Sequence, residues 1–173
     1  MREGNRRWAA GGSTRPRLDP DRRREVATVQ APYAVVLSCI DSRVPPEAVF
    51  DAGLGDLLVV RTAGHTLDPL VTAAVQYGPA DLRAPLIVVL GHQRCGAVTA
   101  AATAVRDGTT LPGQLQRIVE ALRPVYAADV DEMIVANTVA TVAQLRSDDL
   151  LHTRAAVVGA YYNLDSGLVT RVA

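Results

Sequence analysis

Four short apolar runs constrain the fold of this 173-residue chain more than any other feature. They are Ala34-Val35-Val36-Leu37-Ser38-Cys39, Leu57-Leu58-Val59-Val60-Arg61, Leu86-Ile87-Val88-Val89-Leu90-Gly91 and Ala155-Ala156-Val157-Val158-Gly159-Ala160-Tyr161. Each is rich in β-branched residues and continuous rather than alternating. A strand with one wet face alternates, whereas a continuous run marks a strand covered on both faces. Helical segments are expected between the runs, at about 69–78, 96–106, 113–123 and 131–146. Asp68-Pro69 offers an N-cap and a first-turn proline, and Gly108 a stop. Strands alternating with helices predict an α/β fold, a mostly parallel central β-sheet flanked by helices with right-handed crossovers. With an apolar fraction of 49%, residues 1–173 form a single domain with a real core.

Charge narrows the function. Lys plus Arg equals Asp plus Glu at 18 each, so no global field draws nucleic acid or an anionic membrane, and the partner is expected to be small. No stretch reaches the eighteen or so apolar residues of a membrane span, and the first residues lack the apolar core of a signal peptide, so the expected location is cytoplasmic. The arginines of residues 2–24 are interleaved with Glu3, Asp19 and Asp21, which reads as a solvated, partly helical N-terminal arm over residues 1–28. Trp8 is its exception: a lone tryptophan in a polar arm packs against something, and a second subunit is the expected surface.

The chemistry sits in two signatures, Cys39-Ile40-Asp41-Ser42-Arg43 and His92-Gln93-Arg94-Cys95-Gly96. Thiolates and imidazoles are the ligand types zinc prefers, and a structural zinc site closes its tetrahedron with four of them. Only three appear here, Cys39, His92 and Cys95. The fourth position goes to Asp41, to water, or to each in turn, which is the pattern of a catalytic site. Both signatures follow strands, where ligands of open α/β sheets gather. Cys95 and Gly96 open a helix, so the Cys95 thiolate gains from the positive helix N-terminus.

With these motifs the chain resembles a β-class carbonic anhydrase along nearly its whole length. The likeness runs from Glu3-Gly4-Asn5-Arg6-Arg7-Trp8 through the two cysteine signatures and Gly55-Asp56-Leu57-Leu58-Val59-Val60-Arg61-Thr62-Ala63-Gly64 to Gly159-Ala160-Tyr161-Tyr162-Asn163-Leu164. The resemblance implies one zinc per chain bound by Cys39, His92 and Cys95, with Asp41 and Arg43 as a gating dyad and Asp41 on the metal in a closed form. It implies Gln30 as a pocket amide, Tyr77 as a cavity residue, and Leu58 and Ala63 as apolar pocket residues. It also implies a homodimer or higher homo-oligomer, with pockets near the interface. Two departures stand out: His65 replaces an asparagine frequent in the family, and the segment Ser147 to Arg154 is short.

The activity so implied is reversible hydration of carbon dioxide to bicarbonate and a proton by zinc-bound hydroxide. A related zinc hydrolase acting on carbon disulfide or carbonyl sulfide is one alternative, and a non-catalytic, zinc-stabilised bicarbonate-sensing module another. The intact Arg43 argues against the latter, because a permanently closed site needs no competitor for Asp41. His65 and Tyr77 are candidate proton relays. Some family members bind a regulatory bicarbonate with a tryptophan three residues before the first cysteine and an arginine on the next strand. Arg61 fits the second position, but Val36 holds the first and offers no indole N–H.

Overall fold

The computed structural model describes all 173 residues. The four apolar runs become β1 (Ala34–Cys39), β2 (Leu57–Thr62), β3 (Leu86–His92) and β4 (Ala156–Tyr162) of one sheet. Their order is β2-β1-β3-β4, all parallel, and a short β5 (Val169–Arg171) pairs antiparallel with β4 at the edge. The mostly parallel α/β fold is therefore as the sequence predicts. β5 is the addition: three residues are too few to show a period, and they form a strand because β4 offers them a ladder.

Helices α1 (Arg2–Ala9), α2 (Pro20–Glu25), α3 (Pro46–Val49), α4 (Pro69–Asp81), α5 (Gly96–Asp107), α6 (Leu115–Leu122) and α7 (Val130–Arg146) complete the chain. Their ends follow local chemistry. The Asp68 carboxylate accepts the Val71 N–H at 2.8 Å to cap α4, and Asp129 caps α7 in the same way on Glu132. Gly108 stops α5 in the left-handed region at φ 63°, where a side chain would be strained. None of these helices is long and apolar enough to cross a membrane.

Alternation along the buried strands divides the core. Val35, Leu37, Ile87, Val89 and Val157 pack with Val75 of α4 and with Val142 and Leu145 of α7. The opposite face carries Val36, Val88, Leu90, Ala160 and Tyr162 against Val49 and Phe50, with Trp8 packed on it. A third cluster, around Val98, Ala101, Leu122, Met133 and Ile134, encloses the two cysteines. Because β1 and β3 are neighbours with Ser38 opposite Leu90, their carboxyl ends deliver Cys39 and His92 to the same place.

The N-terminal arm docks on its own chain. Asn5, 3% exposed, donates from Nδ2 to the carbonyls of Val49 (3.1 Å) and Gly167 (2.8 Å), and its Oδ1 accepts the Val169 N–H at 2.8 Å. The Asp51 carboxylate accepts from Arg7, Ser13, Thr14 and Arg15, which holds it well below the usual carboxylate range. Trp8 donates its indole N–H to the Tyr162 hydroxyl at 3.0 Å. The packing surface that the sequence sought for Trp8 in a second subunit is thus found within one chain. Asn5→Ala removes three bonds from a buried position and is expected to cost about 2–3 kcal/mol. Urea denaturation would measure that loss, and faster amide exchange over residues 2–9 would show the arm detaching.

Candidate metal centre

The site is built from the strand ends upward. Cys39 closes β1, His92 closes β3, and Cys95 stands immediately before α5; all three are buried. Their ligand atoms lie within 4.8 Å of one another. The Cys39 and Cys95 sulfurs are 3.7 Å apart and unbridged. Two thiolates bonded to one tetrahedral zinc at about 2.3 Å stand about 3.8 Å apart, so the spacing fits that ion without rearrangement. His92 is aimed the same way. Its Nδ1 lies 2.9 Å from the Gln93 carbonyl, a contact only a donor can make, which leaves the Nε2 lone pair free. That Nε2 is fully buried with no hydrogen-bond partner, a costly state for a polar atom unless a metal takes the lone pair.

The two sulfurs are electrostatically unequal. Cys39 is pushed down chiefly by the hydrogen bond from the Cys95 thiol, and by the backbone N–H groups of Gly64 and Asp41. Cys95 is pushed up, because it is the thiol that donates to Cys39 in a buried place. The N–H groups of Ala97 and Val98, in the first turn of α5, oppose that rise, as the helix-terminus reading of the sequence anticipates. A divalent cation bound by the two sulfurs and His92 Nε2 would supply the positive charge that lets both ionise.

Asp41 and Arg43 lie at the mouth. Arg43 grips the carboxylate through Nε to Oδ1 at 2.9 Å and Nη2 to Oδ2 at 2.7 Å, and its backbone N–H adds a third bond to Oδ1 at 3.0 Å. This fork holds Asp41 down to about 2. Asp41 Oδ2 is 3.9 Å from His92 Nε2, close enough to the cluster to compete for a fourth ligand place, yet committed to the guanidinium. Nη2 of Arg43 also reaches the Arg94 carbonyl at 3.2 Å, tying the two signatures together.

Other sequence-assigned residues divide in two. Ala63 follows Thr62, the register partner of Cys39, and stands beside the cluster. Leu58 is the register partner of Val35, four residues or about 13 Å down the sheet from Cys39. Tyr77 is next to Gly78, which packs on Val35 and Leu58, so it too lies at that lower level; it is 51% exposed. Gln30 is exposed and lines a separate surface groove with Val26, Val29, Leu54 and Leu82. Within one chain these three do not meet the cysteines. His65 is 1% exposed, and burial pushes it down to about 4, too weak a base to relay protons near neutrality.

Sequence reasoning missed three supports. Arg61, read as half of an anion pocket, spends its guanidinium on the carbonyls of Cys39 (2.8 Å) and Asp41 (2.6 Å) and so shapes the loop that carries the dyad. Val36, its would-be partner there, is completely buried in the sheet face. The Gly64 N–H points at the Cys39 sulfur at 3.4 Å, and Asn137 of α7 binds the same turn from behind. Nothing in a single sequence marks Asn137, which sits in an otherwise ordinary helical pattern.

Fold and site together define an α/β protein with a buried Cys–His–Cys cluster, able to hold a metal ion, at the carboxyl ends of its central strands. The family model for carbonic anhydrase matches residues 34–169, and the chain belongs to that family, in its β class. Carbonic anhydrase 2 of Mycobacterium tuberculosis is 41% identical over 96% of this chain and 87% of its own length. A solved structure of a β-carbonic anhydrase from Coccomyxa, in complex with acetazolamide, superposes with a TM-score of 0.75 at 26% identity and covers 98% of this chain and 83% of that one. A tetrameric β-carbonic anhydrase from Sordaria macrospora shares the fold, with a TM-score of 0.75 at 21% identity over 98% of this chain and 93% of that one. The chain is thus a member of an enzyme family, and Cys39, His92 and Cys95 form a buried cluster that could hold a metal ion.

Proposed function

We propose that the protein catalyses reversible hydration of carbon dioxide to bicarbonate and a proton, with one zinc per chain held by Cys39, His92 and Cys95. The observation that carries this reading is the pair of sulfurs 3.7 Å apart beside a buried His92 Nε2 without a hydrogen-bond partner. When bound, zinc acidifies a coordinated water and so makes a nucleophile available near neutral pH. The chain's own residues do the rest. Asp41, ionised and held by Arg43, presents Oδ2 as the acceptor that orients the attacking oxygen. Ala63 and the exposed Ile40 give the small apolar electrophile a wall to lie against. Arg61 keeps the dyad loop in place through its two carbonyl contacts. Stopped-flow hydration of carbon dioxide by the zinc-loaded protein, with carbon disulfide and carbonyl sulfide as comparators, tests the proposal. Turnover of the sulfur compounds alone would replace it with the hydrolase reading.

The working form is proposed to be a homodimer or a larger homo-oligomer. β2 is an edge strand with the sequence Leu57-Leu58-Val59-Val60-Arg61-Thr62 and no proline, lysine or bulge to blunt it, so it suits pairing with a second copy. Such pairing would let Gln30, Leu58 and Tyr77 of one chain approach the cluster of the other, while the docked arm presents the outer faces of α1 and α2. Tyr77 is half-exposed on its own chain, so Tyr77→Ala should leave the melting temperature within about 2 °C yet lower kcat/KM about tenfold. Light scattering on the wild type and calorimetry with kinetics on the variant read both parts.

The cytoplasm is the compartment this site suits, because an oxidising one would close two thiols 3.7 Å apart into a disulfide and forfeit the ligands. Bicarbonate is expected to act as a product without regulating the enzyme. With Val36 in place of an indole and Arg61 engaged on backbone carbonyls, inhibition by bicarbonate should be hyperbolic. A steep sigmoid abolished by Arg61→Ala would count against that expectation.

A further inference from the structure

Gly64 and His65 both adopt left-handed backbone conformations, with φ of 64° and 46°. Glycine does this at no cost, but a histidine is strained there and must be held. Thr62 and Thr66 close the turn on its own side, through Thr62 Oγ1 to the Thr66 carbonyl at 2.8 Å and Thr66 Oγ1 to the Ala63 carbonyl at 3.2 Å. From α7, Asn137 Nδ2 reaches the Gly64 carbonyl at 2.9 Å and His65 Nε2 at 2.8 Å.

The hydrogen bookkeeping of this contact has one solution. The Gly64 carbonyl is a pure acceptor, so the Asn137 atom facing it must be the amide nitrogen. That nitrogen has a second hydrogen, and His65 Nε2, lying beside it, must accept it. The His65 proton is therefore on Nδ1. Thr138 Oγ1, 3.3 Å from Nε2, gives its own hydrogen to the Ile134 carbonyl at 2.9 Å and does not compete. A second proton on the ring would confront the Asn137 N–H with another donor, so the geometry keeps His65 neutral. The beneficiary is one residue away. Gly64, whose carbonyl Asn137 fixes, directs its N–H at the Cys39 sulfur at 3.4 Å.

We propose that Asn137 and His65 are positioning residues for the metal thiolate. Together they lock the 64–65 turn so that the Gly64 N–H stays on the Cys39 sulfur and withdraws charge from it. A thiolate that accepts a hydrogen bond donates less to its metal, and a metal with two thiolates is otherwise a poor Lewis acid. The pair thus tunes the metal from about two hydrogen bonds away, as partners behind metal ligands generally do. The inference rests on Cys39 being a metal ligand.

The test uses the full-length protein with zinc exchanged for cobalt(II), and reads the near-ultraviolet thiolate-to-cobalt charge-transfer band together with metal affinity by chelator competition. Loss of the hydrogen bond raises the sulfur donor level, so Asn137→Ala should move the band to lower energy; the unlocked turn, no longer holding the Cys39 sulfur in place, should separately weaken metal binding about tenfold. His65→Ala should move it less, in the same direction. His65→Asn, which restores an acceptor, should return the band towards wild type. Thr138→Val removes a hydroxyl that lies 3.3 Å from the ring but gives its hydrogen to the Ile134 carbonyl, and should leave the band in place. If Asn137→Ala does not accumulate as folded protein, the His65 variants decide the question. A wild-type band that stays put in folded Asn137→Ala and His65→Ala overturns the proposal. Absence of any charge-transfer band in cobalt-treated wild type would instead overturn the reading of Cys39 as a ligand.

Discussion

Cys39→Ser, His92→Ala and Cys95→Ser are each expected to strip the metal from the chain and reduce carbon dioxide hydration to the background rate. A zinc site of soft ligands is worth on the order of 10–16 kcal/mol, so one bond in three carries about 4 kcal/mol, or about a thousandfold in affinity. No neighbouring side chain can replace a lost ligand except Asp41, which Arg43 already holds. The serine variants should still fold. Cys39 and Cys95 are enclosed by the cluster of Val98, Leu122, Met133 and Ile134, and a serine of nearly the same size leaves that packing almost unchanged at a cost of about 1–3 kcal/mol for a buried hydroxyl. Metal analysis by mass spectrometry, with circular dichroism to show the fold intact, separates loss of the ion from loss of structure. Full zinc occupancy in all three variants would sink the assignment.

Arg43→Ala is expected to lower turnover about tenfold to a hundredfold while zinc remains bound. The fork from Arg43 supplies two charge-assisted hydrogen bonds that would keep the Asp41 carboxylate off the metal. Without them Asp41, 3.9 Å from His92 Nε2, is free to take the fourth place. The pH dependence follows from the direction of the Asp41 shift. Arg43 holds the carboxyl down to about 2, so any stability it lends the folded chain is present above the ordinary carboxyl range and is lost only as pH falls towards 2. Removing Arg43 lets the carboxyl return towards 3.8, still fully ionised at pH 6. The loss in Arg43→Ala should therefore persist from about pH 6 to about pH 9 and be largest at the alkaline end, where the wild-type site is open. The rise of wild-type activity with pH reports competition for the metal, because Asp41 does not titrate in that range. Zinc-edge absorption at the two ends of the range should show the wild type exchanging an oxygen ligand, and the variant holding its carboxylate throughout. Unchanged wild-type coordination with near-normal turnover in Arg43→Ala would mean that the dyad is not the gate.

What the amino-acid sequence determined by itself is local chemistry. Continuous β-branched runs marked the strands to within a residue or so, because a strand covered on both faces is apolar at nearly every position; β2, half-buried at the sheet edge, carries the same kind of run. Asp68 and Gly108 marked helix ends because capping depends on immediate neighbours. The candidate metal ligands were legible because few residue types bind zinc, and a strand end followed by a helix start brings Cys39, His92 and Cys95 together. Contacts between distant segments, by contrast, leave no local pattern, and only the tertiary structure decided them. It gave Trp8 a partner in Tyr162 of its own chain and turned Arg61 from a would-be anion ligand into the brace of the Cys39–Asp41 loop. It placed Gln30, Leu58 and Tyr77 away from the cysteines of the same chain, because register and strand rise set distances that spacing along the chain does not. It also brought Asn137, seventy-three residues from Gly64, against the turn behind the metal thiolate. A side chain's chemistry belongs to the residue, but its partner is chosen by packing.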